Sequence, residues 1–425
     1  MAQANPTQAS GGAIPGAQAE STETRNPFAT VNYRWWWAAT IIGALAVGLQ
    51  WVTVPIYIVD RVSEDRRVLA VQLALISQLA ASAILMLVGG VVADRVERRK
   101  ILLRCYSVAA VVSFGYLFLT GFDVRQVWPV FILAAVIGSA DAFSQPARMS
   151  MAQSILPRAQ LQNGIILGTV AFMSAGQMLG PGLAGFISDG PGLKYAFATE
   201  VVLLIVAALI STRLRVDKPV PTGKSVFGDL VDGIKFARNS PVILGLFFLA
   251  LLPPALLMGP TRVTAVFMVR DVWHESDKFI GLIYSAFGVG VIAGSLVLTT
   301  IRLRHRGILL TGVSTVLGGL FFAFVGVTSM VWVALGFQLL LGLAAAIFIN
   351  NATPLLQEQA MGPKLGRVMS MQNLCFAVGQ PLGVAQAGIV TSIYGPQTAI
   401  VASGAAMLII GVLAFIFLKP IRNLD

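Results

Sequence analysis

Twelve apolar stretches, each long enough to cross a bilayer, constrain this chain more than any other feature. They fall at about 36–59, 68–92, 101–120, 127–147, 161–187 and 193–211, and again at about 241–268, 279–301, 308–327, 331–351, 368–393 and 396–417. A helix rises about 1.5 Å per residue, so about 20 apolar residues cross a hydrocarbon core about 30 Å thick. Without water to satisfy the backbone, stretches of this length have to be helical. Composition agrees: 56% of the 425 residues are hydrophobic and 12% are charged, and the mean hydropathy is +0.79. Soluble domains carry about a quarter charged residues, so a soluble enzyme is excluded. The expected fold is an all-α membrane protein of twelve transmembrane helices.

The division expected along the chain is a disordered cytoplasmic tail at 1–33, a six-helix bundle at 34–211, a linker at 212–240, a second six-helix bundle at 241–418 and a short tail at 419–425. The first tail is rich in Gly, Ala, Gln, Ser and Thr and has no apolar run of the signal-peptide kind. Trp35, Trp36 and Trp37 then stand where an aromatic belt meets the membrane boundary. The linker sets Val226, Leu230, Ile234 and Phe236 among charged residues. That pattern suits either an amphipathic helix on the membrane surface or a plain connector.

Twelve spans put both termini on one side. Of the 30 Lys and Arg residues, 22 fall in loops on that side, 7 fall on the other, and Arg262 lies inside a span. The excess of basic residues places the termini in the cytoplasm. It also accounts for the net charge of +11 without a nucleic-acid partner.

The second half echoes the first at an offset of about 200–208 residues. Pro146 corresponds to Pro354, and Gly180-Pro181-Gly182 resembles Gln380-Pro381-Leu382-Gly383. Two similar six-span bundles imply an axis along the membrane normal, with the binding site between them near mid-membrane. The two cysteines, Cys105 and Cys375, are far apart, and both histidines, His274 and His305, lie in loops. No metal site, cofactor site or catalytic residue is expected from them, and no ATP-binding loop is present.

Between the second and third spans stands Gly90-Val91-Val92-Ala93-Asp94-Arg95-Val96-Glu97-Arg98-Arg99-Lys100. It resembles the loop signature of the major facilitator superfamily, G-x-x-x-D-R-x-G-R-R/K, with Glu97 in place of the second Gly. Gly90 would allow close helix approach. Asp94 would sit against a positive helix N-terminus, and Arg95, Arg98 and Arg99 would hold carboxylates or carbonyls of neighbouring spans in one conformational state. The fifth span carries Gly176, Gly180-Pro181 and Ala184-Gly185, similar to the superfamily's antiporter signature. Small residues at that spacing permit tight helix contact, and the proline allows a bend. With Gly366-Arg367-Val368-Met369-Ser370-Met371, Gly379-Gln380-Pro381-Leu382-Gly383 and Gln145-Pro146-Ala147-Arg148, the chain from about 35 to 417 resembles the enterobactin-exporter-like, or transmembrane secretion effector, branch. That resemblance implies a secondary exporter in a bacterial inner membrane.

Ionisable groups inside spans are costly and mark function. Asp141, ahead of Arg148, is expected to pair with Arg98 or Arg99, as a span-4 acid does in the transporters this chain resembles, or else to carry protons. Glu200 has no base near it in sequence, which makes it the candidate proton carrier. Its alternatives are a wet vestibule or pairing with Arg262. Arg262 follows Pro253, Pro254, Gly259 and Pro260, a cluster that predicts a broken helix lining a cavity. There it would favour an anionic substrate; alternatively it snorkels to the outer interface. Gln50, Trp51, Asn350, Asn351, Gln372 and Asn373 are neutral groups able to contact a substrate or to tie helices together.

The function expected is secondary active transport. A small organic, siderophore-like or drug-like molecule would be exported by alternating access in exchange for protons. The working unit is expected to be a monomer, and the lipid bilayer is its solvent. The rivals are uptake of an organic anion or lipid, a membrane-embedded transferase, and a sensor without flux.

Overall fold

The computed structural model describes residues 26–122, 124, 126–216, 240–300, 305–360, 365–422 and 424. Tail residues 1–25 and linker residues 217–239, which include the amphipathic stretch anticipated above, lie outside them. The described residues contain twelve helices long and apolar enough to span a membrane. These are α1 (Val31–Val59), α2 (Arg67–Arg95), α3 (Arg98–Gly121), α4 (Trp128–Ile155), α5 (Ala159–Asp189) and α6 (Leu193–Ser211). The second half supplies α7 (Pro241–Val272), α8 (Lys278–Thr300), α9 (Arg306–Val327), α10 (Val331–Gln359), α11 (Leu365–Tyr394) and α12 (Pro396–Phe417).

The two halves repeat each other in packing. In a membrane, helices associate through close contact at small residues, because lipid is as apolar as the helix faces. A Cβ on Gly138 of α4 would stand 1.9 Å from the Gln78 carbonyl of α2, and one on Gly342 of α10 would stand 2.2 Å from the Phe287 carbonyl of α8. Likewise Gly180 of α5 lies on α1 at Leu45, and Gly383 of α11 lies on α7 at Ala255. Only glycine admits either approach.

The prolines of α7 do not break it. The helix is continuous from Pro241 to Val272, and a wide-turned segment at Pro254–Met258, from the second proline of the pair to just before Pro260, accommodates the missing backbone donors. A second such segment, Met268–Val272, contains no proline. A π-type turn removes the clash between a proline ring and the preceding turn without ending the helix. The same device occurs at Ser174–Leu179, just before Gly180-Pro181. The aromatic belt is also only partly formed. Trp35 is exposed, whereas Trp36 is buried and packs on Gly168 of α5.

The halves meet on the face opposite the termini. Gly281 of α8 abuts the Pro181 carbonyl of α5, and Gly185 of α5 abuts the Lys278 carbonyl. On the other flank the Gln72 side chain of α2 donates to the Ala385 carbonyl of α11 at 3.0 Å. One apolar core accordingly runs from the first half into Val263, Phe267, Phe279 and Val384 of the second. Near the termini, Ile243, Leu310, Leu355 and Ile421 form a separate core confined to the second half. Among the described residues the halves are thus sealed together at the far face, while the core nearest the termini belongs to one half alone.

Candidate functional site

Below the seal, side chains from both halves converge. At about 1.5 Å per residue, Glu200, Gln50, Arg262 and Gln78 all lie about 10–16 Å in from the far ends of their helices. Glu200 of α6 is fully buried. Gln50 of α1 and Ser113 of α3 both donate to its Oε1, while Oε2 has no hydrogen-bond partner. The acid is therefore neither in a wet vestibule nor paired with Arg262. No basic side chain stands within ion-pair distance of it among the described residues. Tyr116 stacks on Phe197 beside it, with centroids 5.4 Å apart, and helps to bury the carboxyl.

Gln50 links this acid to open space. It lines a pocket with Trp51, Gln78, Tyr116, Ile137 and Arg262. It also lines an adjoining pocket with Cys105, Tyr106, Asp141, Ser144 and Arg148. Glu200 thus sits one side chain away from both.

Arg262 is the second half's contribution. It is 8% exposed and its guanidinium carbon lies 4.0 Å over the Trp51 ring, so it turns inward and does not snorkel. Trp51 also packs on Tyr284 of α8, centroid to centroid 5.9 Å. Cation–π contact of this kind favours the flat, weakly hydrated guanidinium over an ammonium.

Asp141 shares its pocket with Arg148, whose guanidinium lies 3.9 Å over the Phe172 ring. Asp141 makes no ion pair with Arg98 or Arg99 in this conformation. Arg99 instead donates to the Leu214 carbonyl beyond α6, at 3.2 Å, which ties α3 to α6. Arg98 is partly buried, its Nε without a hydrogen bond, and Arg95 is exposed. The Asp94 side chain lies outside the described residues. Gly90 has open space beside it; the close contact in α2 belongs to its neighbour Gly89, which meets the Ala142 carbonyl of α4. In the fifth span, Gly176 and Gly180 seat α5 on α1, and Pro181 and Gly185 seat it on α8.

The polar residues of α10 and α11 do not join the pocket. Asn350 donates to Ser295 of α8 at 3.0 Å, Asn351 donates to the Ile347 carbonyl of its own helix at 2.7 Å, and Gln372 donates to Thr353 of α10 at 3.0 Å. Asn373 is exposed. The structure adds Ser113, Gln78 and Tyr284, none of which stands out in sequence from other neutral residues in apolar helices. It also adds a cluster at the seal. Arg270 makes a bidentate pair with Asp277 at 2.7 Å and reaches Asp60 of the other half at 2.6 Å. Arg67 faces Asp271 at 3.7 Å.

A family model described as transmembrane secretion effector matches residues 22–425. The enterobactin exporter EntS of Citrobacter koseri is 27% identical over 396 residues, covering 91% of each chain. Among solved structures, the nucleoside transporter NupG superposes with a TM-score of 0.71 at 15% identity, over 92% of this chain and 99% of its own. A D-xylose–proton symporter superposes with a TM-score of 0.70 at 15% identity, over 93% and 98%. These two likenesses establish the fold.

Proposed function

This chain belongs to the transmembrane secretion effector family of major facilitator transporters, and from that premise we propose that it exports a small organic, siderophore-like or drug-like molecule by alternating access, driven by inward proton movement. The observation that carries the proposal is the placement of Glu200. A buried carboxyl held by Gln50 and Ser113, with Gln50 in turn lining the pocket between the halves, connects a proton-binding group to the transport site through one side chain. A charge in the membrane interior is costly, so proton uptake and release at Glu200 would be felt by whatever Gln50 contacts.

The likeness to the enterobactin exporter supports the outward direction, and the small-residue run from Gly176 to Gly185 resembles the antiporter signature. In this reading the protein is a monomer in a bacterial cytoplasmic membrane with both termini in the cytoplasm, as the basic loops favour. Asp94, Arg95, Arg98, Arg99, Asp141 and Arg148 form the gate on the termini side, making their closing contacts when the far face opens.

The test is flux in proteoliposomes of known orientation with an imposed pH gradient, using enterobactin, other siderophores and amphipathic drugs. Substrate-dependent proton movement opposite to the substrate is expected. Flux indifferent to the gradient, or net movement toward the terminal side, would sink the reading.

A further inference from the structure

Arg262 has a vacancy in its bonding. A guanidinium offers five N–H donors in a rigid fork, and burying one without a counterion is expensive. Arg262 is 92% buried, yet among the described residues it makes no hydrogen bond and no ion pair, only the stacking on Trp51. Its remaining surface opens into the pocket it shares with Gln50 and Gln78. Beside it stands a second unused donor. The Tyr284 hydroxyl is buried and unpartnered, and the two side chains lie within each other's electrostatic reach.

The charged groups around this point leave a positive excess. Asp141 lies within the field of Arg262, but it is shared with Arg148 in the adjoining pocket. Glu200 is occupied by Gln50 and Ser113. The Trp51 face, where an organic cation would dock, is already covered by the guanidinium. A flat oxyanion meets every remaining requirement. Its two oxygens match the fork in plane. The unpartnered hydroxyl of Tyr284, whose ring packs on Trp51, is a second donor for one of them, and the ligand's ring can lie along the apolar lining at Val54, Leu75 and Ile137.

We infer that Arg262, Trp51 and Tyr284 form the substrate's anion subsite, and that the transported molecule carries an aromatic carboxylate or a comparable flat oxyanion there. The inference rests on reading this pocket as the transport site and deepens that reading to a substrate class.

The experiment is equilibrium binding to the purified full-length chain in detergent, by calorimetry and without any gradient. Its probes are salicylate and its neutral isostere salicylamide. Salicylate is expected to bind at least tenfold more tightly than salicylamide. Arg262→Gln should erase that preference. Arg262→Lys keeps the charge and stem but replaces the fork by a point donor, and should weaken salicylate about tenfold even if the glutamine variant does not fold. Tyr284→Phe keeps the ring and should weaken salicylate severalfold while leaving salicylamide unchanged. Equal affinity for both probes, binding of neither, or an undiminished salicylate preference in Arg262→Lys would overturn the subsite. These outcomes are separate from the transport reading, because gradient-driven flux is measured in vesicles and turns on Glu200. The subsite can fail while proton-driven export stands, and the reverse also holds.

Discussion

Arg270 Nη1 lies 2.6 Å from Asp60 Oδ1, although the two residues end the first helices of opposite halves. Asp277 holds the same guanidinium from its own half with two further bonds of 2.7 Å. The fork is thus pre-aimed by one half and completed by the other. With Arg67 and Asp271 alongside, it forms a polar latch over the apolar seal made by Gly281 and Pro181.

Breaking that latch should shift the balance of conformations without unfolding either half. Asp60 is 40% exposed on its side chain, and exposed pairs contribute about 0.2–1 kcal/mol, or at most roughly a fivefold change in the ratio of closed to open molecules. Asp60→Asn is therefore expected to widen the distance between spin labels at Ser63 and His274. High salt should move the wild type in the same direction. A label distance unmoved by both would show that the pair does not hold the halves.

Two glycine substitutions separate sealing from folding. A Cβ on Gly281 would stand 2.3 Å from the Pro181 carbonyl across the seal, and one on Gly180 would stand 2.6 Å from the Leu45 carbonyl within the first half. Gly281→Val should keep thermal stability near wild type and populate the open far face. Gly180→Val should lower the melting temperature, since overpacking costs about 1–3 kcal/mol. Equal loss of stability in both would mean that the halves do not move as separate bodies.

Glu200→Gln keeps the shape and both hydrogen bonds to Oε1 but cannot exchange a proton. It is expected to reduce gradient-driven flux at least tenfold while equilibrium substrate binding stays within a few fold. The check is flux with and without an imposed pH gradient. Retained proton dependence would remove Glu200 as the carrier.

Asp94→Asn is expected to slow cycling while sparing binding, as the proposed gate role of the loop signature between α2 and α3 requires. Flux and calorimetry on the same preparation decide it. Matching losses in both would place Asp94 in substrate recognition instead.

Much of the candidate site was visible from charge alone. Glu200 and Arg262 are conspicuous because an ionisable group inside an apolar run is rare, and both turn out buried at the centre. Gln50 and Trp51 were also legible as polar and amphipathic groups in mid-helix. Asn350, Asn351, Gln372 and Asn373 satisfied the same criterion but are turned elsewhere, since a neutral side chain in a span serves helix packing as readily as a ligand. Gly90 shows the limit of register. The loop signature draws attention to it, while one residue's rotation, about 100° on a helix, gives the close contact to Gly89.

The sequence by itself determined the twelve helices, because bilayer thickness fixes span length and apolar runs of about 20 residues can satisfy their backbone in lipid only as helices. The two related halves and the family were legible in the repeated prolines and in the motifs around Asp94, Pro181 and Pro381. Helix lengths beyond the apolar runs, as where α4 continues to Ile155, follow the backbone and not hydropathy. Tertiary structure alone decided which side chains meet. Asp60 and Arg270, Gln50 and Glu200, and Trp51 and Arg262 lie between 150 and 211 residues apart. Their contacts depend on how each helix is rotated about its axis and on which face the halves close, both set by backbone approach at Gly138, Gly180, Gly281 and Gly342. Hydropathy does not encode that rotation, because lipid and protein interior are equally apolar.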